Sequence, residues 1–160
     1  MRIVHLSVEA FQPIAENKGI HLDEAIPEQK VIAHIDAIRL QQVISNLLSN
    51  ALKFTPAGGS VQVGLRVAES RVELVVHDNG MGISQEALPH IFKAFWQADD
   101  TKEVSVKGLG LGLSIVQHLV QQHGGSVRAE SPGRFRGSSF IVELPIAATR
   151  PANGDQQGAA

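Results

Sequence analysis

The chain has no cysteine among its 160 residues, which excludes disulfides, thiolate metal sites and thiol nucleophiles. That absence suits a reducing compartment, so the cytoplasm is the expected location. An excess of charge of one sign is also missing. The formal net charge is −2 and acidic and basic residues are interspersed, so the basic patch or stripe that nucleic acid requires is absent. No apolar run approaches a membrane span, and the first residues lack the basic, apolar, small-residue order of a secretion signal. No membrane contact by this segment is expected, and there is no internal repeat. What is present is an apolar content of 43%, ordinary for a globular protein, and enough length for one compact domain with its own core. The expected division is a single domain over 1–146 and a disordered tail or linker over 147–160, where "ATRPANGDQQGAA" offers no apolar face.

Apolar positions at helical spacing run from Ile3 to Ala15. Two short β-like stretches follow, Gly19–Leu22 and Lys30–His34, separated by the turn-prone "DEAIPEQ", and are expected to pair. Asp36 can cap a long helix with Leu40, Val43, Ile44, Leu47, Leu48 and Ala51 on one face. That helix must stop at Thr55-Pro56, because the residue before proline avoids helical angles. "SVQVGLRV" and "RVELVVHD", joined by "AES", predict a hairpin. A second helix, Leu111–His123, is closed by Gly124-Gly125 and followed by "SVRAES" and "SSFIVELP" as another strand pair. The fold class is therefore α+β, a mixed and mostly antiparallel sheet covered on one face by helices.

Within "QQVISNLLSNALKF", Gln42, Asn46, Asn50 and Lys53 share the face opposite the leucine stripe. A solvated face is the simpler reading for this helix taken alone. Yet asparagine is a poor choice on an exposed helix unless its amide is used. An amide oxygen can ligate a hard cation such as Mg²⁺, and a lysine one turn on can meet phosphate. In "LVVHDNGMGIS" an apolar strand delivers Asp78, and Gly80 and Gly82 permit close approach of the backbone to a ligand. Alone, "DNG" is only a good turn. "KGLGLGLSIV" then sets Gly108, Gly110 and Gly112 before a helix, where free N–H groups and the helix dipole favour an anion. The common nucleotide folds do not fit: Leu113 stands where a Rossmann turn needs its third glycine, and no Walker G-K-[ST] exists.

The ordered set "NLLSNALKFTP", "DNGMGIS", "IFKAFWQAD", "GLGLGLSIVQHLVQQHGG" and "GSSFIVELP", from about Asp36 to Pro145, resembles the catalytic and ATP-binding domain of sensor histidine kinases. These stretches correspond to its N box, first glycine box, F box and second glycine box. The resemblance implies a two-layer α/β sandwich of the Bergerat type, shared with heat-shock chaperones, type II topoisomerases and mismatch-repair ATPases. It also implies ATP and Mg²⁺ as cofactors. Asn50 would be the Mg²⁺ ligand, Asn46 would lie beside the phosphates, Lys53 would contact phosphate, and Phe54 would pack on adenine or ribose. Asp78 would accept from the adenine amine above a floor shaped by Gly80, Gly82 and Ile83. Phe92 and Phe95 would anchor the loop that follows. Lys107, Gly108, Leu109, Gly110, Leu111, Gly112 and Leu113 would bound the lid over the triphosphate.

In the related ATPases a glutamate one turn before the metal-binding asparagine activates water. Here that position is Asn46, which takes no proton, so Asn46 and Lys53 would serve transfer of the γ-phosphoryl group to a histidine instead. No histidine of this chain suits the acceptor role. His5, His21 and His118 lack the acidic neighbour and following proline in a helical setting. The implied partners are the dimerising phosphotransfer domain of the same parent and, through it, a response regulator, with the isolated domain monomeric and the parent dimeric. Gln97 stands where many members have arginine, and Leu109 where threonine or serine is common, so the lid contacts are open. A serine kinase of the anti-sigma type and a non-catalytic ATP-sensing module are alternatives on the same scaffold.

Overall fold

The computed structural model describes residues 2–27, 35–68, 70–97 and 109–146. In chain order these form α1 (Arg2–Asn17), β1 (His21–Ala25), α2 (Ala37–Phe54), β2 (Ser60–Val67), β3 (Arg71–Asp78), α3 (Gly112–Gln122), β4 (Ser126–Glu130) and β5 (Ser138–Pro145). The expected strand Lys30–His34 and the tail 147–160 lie outside the described residues.

Local chemistry accounts for the helix ends. Asp36 Oδ1 accepts from the Ile38 and Arg39 N–H groups at 2.9 and 3.2 Å, an N-cap of a kind that contributes about 1 kcal/mol. At the other end Thr55 is extended, with φ −98° and ψ 126°, as Pro56 demands. Its hydroxyl donates to the Ala51 carbonyl at 2.7 Å, and Lys18 Nζ donates to the Leu52 carbonyl at 3.2 Å. Two of the last four carbonyls of α2 are thereby satisfied. Helix α1 carries Pro13 in its interior, which removes one backbone hydrogen bond, and burial of Val4, Val8 and Ala15 holds it in place.

The five strands run in the order β1-β2-β3-β5-β4. β2 with β3 and β4 with β5 are antiparallel, as the hairpin signals require, and β3 also pairs antiparallel with β5. β1 departs from expectation. It starts at His21, extends through Asp23, Glu24 and Ala25, and pairs with β2 in parallel, His21 opposite Ser60 and Ala25 opposite Gly64. Those polar residues read as a turn, but β1 is an edge strand whose outer positions face solvent, and backbone pairing with β2 overrides their weak strand preference.

Alternation fixes the two layers. Val61 and Val63, then Val72, Leu74 and Val76, then Phe140, Val142 and Leu144 point to one face. There they meet the buried stripes of α1, of α2 (Val43, Ile44, Leu47, Leu48, Ala51, Leu52) and of α3 (Val116, Leu119, Val120). The opposite face is open and charged. Arg71 pairs with Glu143 at 3.0 Å, Arg128 lies against the same carboxylate, and Arg128 also meets Glu130 at 3.2 Å. The Arg71 guanidinium, aided by Arg128, holds Glu143 below the usual carboxylate range. The result is an α+β two-layer sandwich with helices on one face, as expected. Among the described residues no helix is long and apolar enough to cross a membrane.

Candidate functional site

The two-residue period that sends Val72, Leu74 and Val76 into the core also sends in the next residue of the series, Asp78. Asp78 as a whole residue is 2% exposed at the tip of β3. The β3–β5 register sets Ser138 directly opposite it, on the same inward series as Phe140 and Val142. Ser138 Oγ donates to Asp78 Oδ2 at 2.6 Å, and the Gly80 N–H donates to Oδ1 at 2.9 Å. A buried carboxylate needs such partners. Two carboxylate oxygens offer about four acceptor positions and these bonds use two, so the group is aimed yet can accept again from a ligand's N–H.

The loop after Asp78 is wedged between two other elements. A Cβ on Gly80 would stand 2.3 Å from the Phe54 carbonyl oxygen, so only glycine allows this approach. The Met81 N–H donates to that same oxygen at 3.0 Å, tying the loop to the end of α2. Gly82 has φ +64°, and a Cβ there would lie 2.1 Å from the Gly133 carbonyl in the β4–β5 connection. Ile83, half-buried against the core, donates its N–H to Ser131 Oγ at 2.9 Å.

Asn46 and Asn50 are half-buried, and the start of α3 lies against them. A Cβ built on Gly112 would be 3.3 Å from Asn46 Oδ1 and 3.9 Å from Asn50 Nδ2. The polar column of α2 therefore turns toward a neighbouring helix end and is more than a solvated face. Leu111, at the N-cap of α3, supplies no side-chain cap, so the first N–H groups of that helix keep their capacity for an anion. Lys53 is half-buried, its ammonium 5.0 Å from the centre of the Phe54 ring.

Phe92 meets Phe140 edge-on at 6.5 Å and joins the core margin, as does Leu113. Phe95 differs from expectation. Its ring is 74% exposed and its backbone is left-handed at φ +62°, so it ties the loop by its main chain, with its N–H donating to the Gly110 carbonyl at 2.9 Å. Gly110, at φ +69°, accommodates this contact. Leu109 is 77% exposed and Leu111 half-buried. Lys107 and Gly108 fall outside the described residues. Asn46, Asn50, Lys53, Phe54, Asp78, Gly80, Gly82 and Gly112 are thus joined through the end of α2, the tip of β3 and the start of α3.

Two contributors escape the sequence reasoning, Ser138 and Ser131. Ser138 had a usable signal, since alternation in "SSFIVEL" places it on the Phe140 face. Ser131 sits in a loop and had none.

Residues 35–148 match the family described as histidine kinase-, DNA gyrase B-, and HSP90-like ATPase. The sensor histidine kinase TmoS of Ectopseudomonas mendocina is 39% identical over 144 residues, covering 89% of this chain and 14% of TmoS. The solved structure of full-length ShkA in complex with AMPPNP superposes with a TM-score of 0.80 at 33% identity, covering 91% of this chain and 30% of that one. Mycobacterial sensor histidine kinase MprB superposes with a TM-score of 0.76 at 28% identity, covering 92% of this chain and 95% of that one. Other curated sensor kinases that match are spanned over 10% to 36% of their length. The chain belongs to the family of histidine kinase-, DNA gyrase B- and HSP90-like ATPases, as a catalytic, ATP-binding domain of the sensor histidine kinase type.

Proposed function

We propose that this domain binds ATP with Mg²⁺ and donates the γ-phosphoryl group to a histidine on a separate dimerising domain of the same parent, for relay to a response regulator. The observation that carries the reading is the pairing of an aimed, unsaturated carboxylate at Asp78 with a second group of Asn46, Asn50 and an uncapped helix start. The first suits a base bearing an amine, and the second suits phosphates. Asp78 accepts from the adenine amine. Guanine presents an acceptor at the equivalent place, which leaves both groups unpaired at about 1–3 kcal/mol each, so ATP is preferred over GTP.

Among the described residues no group of three or more histidine, cysteine or carboxylate side chains could hold a metal. Mg²⁺ keeps waters and takes few protein ligands beside substrate phosphates, so a single amide oxygen suits it. Asn50 would hold it, and when bound it would neutralise charge on the phosphate oxygens. Lys53 and the N–H groups at the start of α3 stabilise charge on the transferring group and hold it in line. Asn46 has no basic site, so water is not activated and the phosphoryl group is kept for the histidine. Leu109 to Leu113 lead into the start of α3, beside the phosphates. The site operates in the cytoplasm, the isolated domain as a monomer and the parent as a dimer.

Incubation of the domain with γ-labelled ATP and an isolated acceptor-helix dimer tests this. Acid-labile label on the acceptor is expected. Acid-stable label on a serine would favour a serine kinase, and binding without transfer would favour an ATP sensor.

A further inference from the structure

The Ser131 hydroxyl is where the Gly80–Ile83 loop is tied to the β4–β5 connection. Its Oγ accepts from the Ile83 N–H at 2.9 Å and the Gly133 N–H at 3.3 Å, and donates to the Gly137 carbonyl at 2.7 Å. These bonds use its one donor and both acceptor positions. Gln85 Nε2 donates to the Ser131 carbonyl at 3.1 Å, holding the residue from its other side. The connection then runs back along the loop. Phe135 N–H donates to the Met81 carbonyl at 2.6 Å and Gly137 N–H to the Gly80 carbonyl at 3.1 Å. A Cβ on Gly137 would lie 2.1 Å from the Asp78 carbonyl oxygen. Phe135, its ring exposed, is held at φ +60°, and such strain persists only where the surrounding structure over-determines the backbone.

We infer that Ser131 is a positioning residue for base recognition, acting through the loop that follows Asp78. This rests on the proposed assignment of Asp78 to the adenine amine. β3 fixes Asp78 from upstream. Downstream, the loop is restrained by Phe54, by the Phe135 and Gly137 N–H bonds to Met81 and Gly80 and by the Ser131 tie, and without the hydroxyl Ile83 N–H and Gly137 C=O lose their shared partner. The floor beneath the base then shifts relative to the carboxylate. Among the described residues the Ser131 hydroxyl bonds to the loop and to the β4–β5 connection, whereas the phosphate end is built from α2 and α3, so the effect falls on the base first.

The test uses the 160-residue chain as wild type, Ser131→Ala and Ser131→Thr, titrated calorimetrically with ATP, GTP and tripolyphosphate, each with Mg²⁺. Ser131→Ala is expected to lose about tenfold in ATP affinity, about 1.4 kcal/mol, with a narrower ATP-to-GTP ratio and unchanged tripolyphosphate binding. Ser131→Thr, which keeps the hydroxyl, is expected to restore the ratio. Wild-type ATP affinity and ratio in Ser131→Ala overturn the inference, as does an equal loss for ATP and tripolyphosphate. Should Ser131→Ala not fold, Gln85→Ala loosens the same tie, and its ratio is expected to narrow severalfold; an unchanged ratio there overturns the inference too. A wild type that does not prefer ATP over GTP brings down the adenine assignment itself, a result distinct from a variant that matches a discriminating wild type.

Discussion

Replacing Asp78 by asparagine changes one oxygen to an amide nitrogen inside a site that is 2% exposed. Folding should tolerate it. The remaining oxygen still accepts from the Gly80 N–H, and the Ser138 hydroxyl, now 2.6 Å from its carboxylate partner, can rotate to accept from the new amide. Relief from burying a charge offsets part of the loss, so the stability change stays below about 1 kcal/mol, or about 2–4 °C in melting temperature at this chain length. Binding responds differently. An amine facing a carboxylate makes a charged hydrogen bond contributing about 1.5–3 kcal/mol, which corresponds to about 10- to 150-fold in Kd. Asp78→Asn should therefore weaken ATP by that factor while GTP, already unable to use the carboxylate, changes little. Asp78→Ala provides the contrast, because it leaves both Ser138 and Gly80 without a buried partner and should lower the melting temperature as well. Calorimetric titration with both nucleotides and thermal unfolding decide the matter. ATP affinity within twofold of wild type in Asp78→Asn, or an equal loss for ATP and GTP, would refute the reasoning.

Asn50→Ala puts a better helix former on a half-buried position of α2, so the fold should persist while Mg²⁺ no longer strengthens ATP binding; titrations with and without the metal check it. Gly80→Ala drives a Cβ toward the Phe54 carbonyl, 2.3 Å away, and should cost about 1–3 kcal/mol, read as a lower melting temperature; a wild-type melt would show that α2 and this loop do not touch. His5 tests a different region. Its Nδ1 hydrogen bond to Glu24 at 2.6 Å, reinforced by Glu9 one turn on, raises its pKa above the ordinary 6.5. A raised folded-state pKa makes the contribution complete below pH 6.5 and lost as pH rises through the folded value. The melting-temperature difference between wild type and His5→Gln should be largest in mild acid, below pH 6.5 but above the range where Glu24 and Glu9 protonate, and vanish in alkali, and the opposite trend would count against the clip between α1 and β1.

Sequence alone determined whatever depends on neighbours along the chain. Asp36 caps α2 by reaching N–H groups two and three residues away, Pro56 constrains the residue before it, and the alternation in β2 and β3 encodes their inward faces. The ordered glycine and asparagine motifs were legible for the same reason, their spacing being local. The parallel partner of β1, the Ser138 hydroxyl 60 residues from Asp78, the Ser131 tie and the side toward which Asn46 and Asn50 turn were decided only by tertiary structure. A polar residue on an amphipathic helix looks the same to the chain whether water or another helix end lies beside it. Strand register and loop contact arise between segments that share no local signal, so they exist only once the sheet has assembled.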